Sequence, residues 1–86
     1  MARLHQLKLL DTFSEPIFFG EKAFEIREND RGYQKGDLIR FRTVSKHGLY
    51  VKSDVPIESR TYEITFVMNG WGIKEGYVVF GIKETS

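Results

Sequence analysis

Gly20-Glu21-Lys22-Ala23-Phe24-Glu25-Ile26-Arg27-Glu28-Asn29-Asp30-Arg31-Gly32-Tyr33-Gln34-Lys35-Gly36-Asp37 is the stretch whose reading decides the fold. Its apolar positions are few and they alternate. Phe24 and Ile26 are interleaved with Glu25 and Arg27, a period of two that predicts a short half-buried strand over about 23–28. On that reading Phe24 and Ile26 face a core, and Glu25 and Arg27 carry charge on the opposite face. Glu28 to Gly32 follows as a polar turn, and Lys35-Gly36-Asp37 breaks the chain again. Seven charges stand between Glu21 and Arg31. They either display chemistry or build an ion-pair lattice.

Working outward, Asp37 to Val44 alternates again, with Ile39 and Phe41 on one side and Arg40 and Arg42 on the other. Upstream, Leu4 to Leu9 predicts a first strand with Leu7 and Leu9 on one side and Gln6 and Lys8 on the other. Between these strands, Ser14-Glu15-Pro16 is a helix-start signature, since proline is tolerated in the first turn. Phe13, Ile17, Phe18 and Phe19 supply an apolar face, and Gly20 is a natural stop. One short helix over about 12–19 is predicted.

Downstream, Arg60 to Met68 is the clearest strand, β-branched or aromatic almost throughout. Its alternation predicts Tyr62, Ile64 and Phe66 in the core. Tyr77 to Ile82 is apolar on both faces and reads as a central strand, paired antiparallel with 60–68 through the 69–76 connection. Leu49-Tyr50-Val51 predicts a short strand, and Pro56 argues against a central strand there. Lys83 to Ser86 is expected to fray. The sum is a small, mostly β, α+β domain of five to six strands and one short N-terminal helix. Closing such a sheet into a barrel removes its exposed edges.

Eighty-six residues build one modest core, so a single domain over 1–86 is expected. The chain has no cysteine, which excludes a disulfide framework, a thiolate metal site and a thiol nucleophile. A cytoplasmic location is expected from that, with no signal peptide in 1–10 and no apolar run of membrane-spanning length. Formal net charge is +1, too little to hold duplex nucleic acid by phosphate neutralisation alone. Residues 20–46 nonetheless carry seven Lys or Arg against five acids, an excess compatible with a small anionic or nucleotide ligand. His5 and His47 have no partners at metal-ligand spacing, so no metal site is expected. No P-loop, dinucleotide fingerprint or Gly-x-Ser-x-Gly occurs, and no cofactor is expected.

Taken in order, Gly20-x-Lys22-x-x-Glu25-x-Arg27, Asn29-Asp30-Arg31, Gly36-Asp37 and Gly76-Tyr77-Val78-Val79 resemble the DUF3850 family, of the ASCH group of PUA-like domains. The likeness runs from His5-Gln6-Leu7-Lys8 to Ile82-Lys83 and is weakest over 44–58. It implies a PUA-like β-barrel and binding of RNA or a nucleotide, in bacterial or phage settings. A related ASCH enzyme is an amidohydrolase acting on an acetylated cytidine through a lysine, a threonine and a glutamate. Lys22 matches the lysine. Glu25 stands where the threonine would be, and the glutamate belongs to a helical insertion without a counterpart here. The activity is therefore not carried over.

Each candidate residue has a functional and a plain reading. Glu25 and Arg27, two apart on a strand, share a face. They either grip a base edge or phosphate through the guanidinium fork, or form a cross-strand ion pair with Arg40 or Arg42. Lys22 joins them only if it belongs to the turn before the strand; otherwise it is a cation at a helix C-terminus. Asn29, Asp30 and Arg31 form a phosphate-binding turn or an ordinary Asx turn. Trp71, between Gly70 and Gly72, is the better candidate for base stacking, ahead of Tyr33. The expected function is recognition of an unpaired or modified base in a polar cleft formed by 20–37 and the 69–72 turn. The alternatives are a minimal nucleoside amidohydrolase using Lys22 and Glu25, and a phage-type protein-interaction module using exposed aromatics.

Overall fold

The computed structural model describes residues 2–85. Five strands form one sheet: β1 (Leu4–Leu10), β2 (Phe24–Glu28), β3 (Leu38–Val44), β4 (Tyr62–Met68) and β5 (Tyr77–Glu84). Their spatial order is β1-β3-β4-β5-β2, with β1 and β3 parallel and the remaining pairs antiparallel. The sheet curls into a half-barrel that is not fully closed. β1 and β2 are its two edges. Among the described residues no helix is long and apolar enough to cross a membrane.

Between β1 and β2 the chain makes a 3-10 turn (Asp11–Phe13) and one helix, α1 (Ser14–Phe18). The Ser14 hydroxyl donates to the Asp11 carbonyl at 2.7 Å, and Gly20, at φ +79°, ends the helix as its sequence predicts. Ile17 is buried, but Phe13 and Phe19 are exposed, so the predicted apolar face is only partly used.

The core lies within the concave side. It joins Leu7 and Leu9 of β1, Ile39 and Phe41 of β3, Tyr62 and Ile64 of β4, and Val78, Phe80 and Ile82 of β5. Ile17, Tyr33 and Ile57 cap it. The predicted antiparallel pairing of the last two strands is present. Phe66, however, is 48% exposed. The cause is a β-bulge: Ile64 faces Ile82 and Phe66 faces Gly81, leaving Thr65 as an extra residue. One extra residue reverses the alternation, so Val67 packs against the core in place of Phe66.

Two further expectations are corrected. Leu49 to Val51 is not a strand but a stub held by an isolated Val44–Tyr50 bridge, folded back by the Ser45–Leu49 and Ser45–Gly48 backbone hydrogen bonds. The C-terminus does not fray at Lys83: β5 continues to Glu84, and the Thr85 N–H donates to the Thr61 carbonyl at 2.9 Å. Ser86 lies outside the described residues.

A buried polar centre fixes the start of β1. Asp37, 3% exposed, accepts from His5 Nε2 at 2.9 Å, from the Arg3 N–H at 3.2 Å and from the Gln34 N–H at 3.1 Å. His5 packs at a tilt against Tyr33, which packs at a tilt against Phe80. Burial pushes the Asp37 carboxyl up, but the hydrogen bonds from His5, Arg3 and Gln34 together outweigh it, and its pKa lies below the ordinary value. The predicted Gly36-Asp37 break is thus a buried anchor.

Candidate functional site

β2 has the predicted period with the opposite polarity. Glu25 is 4% exposed, whereas Phe24 and Ile26 are 42% and 57% exposed. The charged face points inward and the apolar face outward. A burial pattern that violates the apolar-inside rule marks a place where something other than core packing sets the residue choice.

The reason is visible across the gap. The Glu25 carboxylate is held from both sides. Arg27 donates to Oε1 through Nε at 3.0 Å and Nη2 at 2.8 Å, and Lys22 Nζ donates to Oε2. The Arg27 Nη2 also donates to the Lys8 carbonyl at 2.6 Å, so the guanidinium spans from the β2 edge to the β1 edge. Glu25 and Arg27 therefore pair with each other on one strand. The cross-strand pair with Arg40 or Arg42 does not form: both lie on the outer face of β3.

Lys22 is delivered by the end of α1. The N–H groups of Glu21 and Lys22 both donate to the Pro16 carbonyl, at 2.8 and 2.9 Å, which turns the chain so that Lys22 precedes β2 in an irregular segment. Its Nζ donates to the Phe24 carbonyl at 2.9 Å and lies 4.8 and 5.0 Å from the Phe13 and Phe24 ring centroids. The geometric condition for Lys22 to share the cleft is met.

These groups line a cleft of about 530 Å³ between the two sheet edges. Leu10, Phe13, Phe24, Ile26 and Tyr77 give it apolar walls, and Lys8 and Glu28 charge its rim. Each carboxylate oxygen accepts at most two hydrogen bonds. Glu25 Oε1 is filled by Arg27, while Oε2 retains acceptor capacity. Arg27 Nη1 has no hydrogen-bond partner among the described residues, and the Arg27 side chain is 23% exposed. The cleft thus offers one aimed acceptor, two N–H donors and a lysine ammonium between flat hydrophobic walls.

The other candidate residues are placed elsewhere. Asn29 sits just beyond β2, where its N–H donates to the Gly76 carbonyl at 2.8 Å and its Oδ1 accepts from the Tyr33 N–H at 3.3 Å. That side-chain bond spans four residues, not the two of the expected Asx turn. Asp30 and Arg31 are exposed and 3.9 Å apart, and Arg3 holds the Arg31 carbonyl at 2.6 Å. Trp71 is 92% exposed at φ +54° on the β4–β5 connection, projects from its glycines as predicted, and does not line the cleft. Tyr33 is a core residue. The structure adds Lys8, Phe13 and Tyr77. For the Lys8 contact with Arg27 the sequence carries no signal, because the acceptor is a backbone carbonyl on a sheet edge.

The chain is 36% identical over 39 residues to an uncharacterized 12.9 kDa protein in the GpA 3' region of Escherichia phage P2. The match covers 45% of this chain and 36% of that protein, so it spans only about a third of the relative's length. The family model described as a domain of unknown function, DUF3850, matches residues 4–82, and with the fold and the cleft in view the chain belongs to that family.

Proposed function

We propose that the chain is an RNA- or nucleotide-binding domain of the PUA-like, ASCH type that takes an unpaired or modified base in the β1–β2 cleft. The observation that carries the reading is the inward-facing Glu25, clasped by Lys22 and Arg27 between apolar walls. Ligand sites combine a mostly apolar concavity with a few convergent polar groups, in volumes of roughly 300–1,000 Å³. Phe13, Phe24 and Tyr77 suit a flat heteroaromatic ring, and Glu25 and Arg27 suit its hydrogen-bonding edge. A chain of net charge +1 recognises by stacking and aimed hydrogen bonds better than by bulk phosphate attraction. Five strands in a curled half-barrel with one short helix agree with a PUA-like domain.

Calorimetric titration with nucleosides and nucleoside monophosphates, acetylated cytidine among them, tests this. Binding is expected for at least one base and is expected to weaken by about 1–3 kcal/mol in Arg27→Lys, which keeps the charge and loses the fork. Equal binding by wild type and Arg27→Lys retires the reading.

The Lys22–Glu25 contact favours one second reading, a minimal nucleoside amidohydrolase. There, water's oxygen would go to the acyl carbon and its protons to the departing amine and the released acid. Both Glu25 oxygens are engaged by cations, which leaves a poor general base. No acetate release from acetylated cytidine is expected. Turnover that disappears in Lys22→Ala would establish the enzyme instead.

A further inference from the structure

The whole-chain charge of +1 hides a segregated surface. On β1 the outward residues are Leu4, Gln6, Lys8 and Leu10, and on β3 Arg40 and Arg42 point the same way. The strand register sets Gln6 beside Arg40 and Lys8 beside Arg42. Lys46 follows in the turn at the end of β3. Among the described residues none of Lys8, Arg40, Arg42 and Lys46 is in a salt bridge.

The two guanidinium groups are positioned in advance. Arg40 Nη2 donates to the Glu58 carbonyl at 2.7 Å, which fixes the side chain and leaves its other N–H groups outward. Arg42 sits over the Tyr50 ring, its Cζ 3.8 Å from the centroid, a cation–π contact that commits none of the guanidinium's N–H donors to a protein acceptor. Gln6, Arg40, Arg42 and Glu58 line a shallow depression of about 220 Å³. The Glu58 carboxylate, which accepts from the Thr43 N–H at 2.9 Å, keeps its negative charge there, and Lys8, Arg40 and Arg42 outnumber it three to one. Alternate residues on one strand are about 6.5–7 Å apart, so the depression holds two forks for two anionic groups.

Lys8 connects this face to the cleft. Its carbonyl accepts from Arg27, it lines the cleft, and its Nζ lies 5.9 Å from the Tyr50 ring. We infer that the outer face of β1 and β3 is the phosphodiester path of a single-stranded polynucleotide whose base enters the β1–β2 cleft, with Arg40 and Arg42 each taking a phosphate. The inference rests on the base-binding reading and specifies its ligand as a strand rather than a free nucleoside. A planar fork matches phosphate in two hydrogen bonds, and such contacts add affinity without reading sequence.

The experiment measures fluorescence-labelled single-stranded RNA and DNA octamers by anisotropy across a salt series, with free-nucleoside binding by calorimetry as reference and phosphatidylserine vesicles as a third arm. Octamers are expected to bind more tightly than nucleosides. Arg40→Gln and Arg42→Gln are each expected to reduce the slope of log affinity against log salt by about 0.7, with nucleoside affinity as in wild type. Arg42→Lys is expected to restore the slope, which separates lost charge from lost packing on Tyr50. An RNA preference over DNA assigns the source of the phosphates, and equal binding assigns the shared backbone. Octamers binding no more tightly than nucleosides, slopes unmoved by both Gln variants, or binding to vesicles alone would each overturn the path. Octamer binding that depends on Arg42 but is indifferent to Arg27→Lys would keep the path and remove the base-binding reading.

Discussion

Arg27 does two things with one side chain, and a substitution separates them. It clasps Glu25 and it reaches the Lys8 carbonyl. Hydrogen bonds to charged groups contribute about 1.5–3 kcal/mol each, so Arg27→Ala is expected to lower the thermal midpoint as well as abolish ligand binding. Arg27→Lys keeps a cation beside Glu25 and is expected to recover part of the stability while binding stays weak. Thermal melts alongside nucleoside titrations read the two separately, and a variant that melts like wild type while failing to bind would deny the structural half. Asp37 makes the complementary case in pH. Burial raises its carboxyl and three hydrogen bonds more than offset this, so its folded pKa is depressed. A depressed carboxyl contributes stability that is complete above its unfolded pKa and is lost as pH falls through the folded pKa. The stability gap between wild type and Asp37→Asn is therefore expected to be widest near neutral pH and to shrink in acid. Denaturant melts at several pH values check it, and a gap independent of pH contradicts the assignment. The residues Lys22, Glu25 and Arg27 were legible as a charged run with a strand period. Their convergence was not, because it depends on how Pro16 wraps the chain end of α1 and on a backbone carbonyl of β1.

Among the elements, β4 and β2 show what alternation does and does not carry. The strands over 60–68 and 77–82 were readable from β-branched and aromatic composition, and their pairing from the short connection. Which side Phe66 takes was not, because the bulge at Thr65 is a property of two strands together and reverses the pattern within one. In the structure the Phe66 ring lies across Gly81. A methyl group added at Gly81 would fall on that ring and against the Thr65 hydroxyl. Gly81→Ala is expected to cost about 1–3 kcal/mol by overpacking. Adding Phe66→Ala is expected to return part of that loss, a non-additivity measurable by a double-mutant cycle in urea. Strictly additive effects would mean that the ring does not occupy the site. On β2 the period was right and the polarity inverted. Sequence reasoning assigns the apolar face to the core, but β2 is an edge, and its buried Glu25 is held by Lys22 and Arg27 rather than packed among apolar side chains. The exposed Phe24 and Ile26 follow from that geometry.

For the molecule as a whole, the sheet curls until β1 and β2 face each other without pairing, and the predicted closed barrel is only half realised. Its stability is accordingly uneven. β4 and β5 are flanked by strands on both sides, whereas β1 and β2 each have a neighbour on one side only. Backbone amides open locally with free energies that track such differences, so exchange is expected to be slowest over 62–66 and 78–82 and faster over 24–28. A ligand seated in the cleft touches both edges at once and completes the closure that the ladder does not. Binding to the folded state alone stabilises it by about 2.7 kcal/mol at a free-ligand concentration one hundred times Kd, and for a domain of this size each kcal/mol moves the midpoint by about 4–8 °C. The stabilisation is expected to be shared between edges that are distant in sequence. Exchange should slow at Leu9 and Leu10 and across Phe24 to Glu28 together, while the Trp71 turn changes little unless the strand extends onto it. Mass-spectrometric exchange with and without saturating nucleotide reads this directly. Protection confined to residues 69–72, or to one edge alone, would move the site away from the β1–β2 cleft.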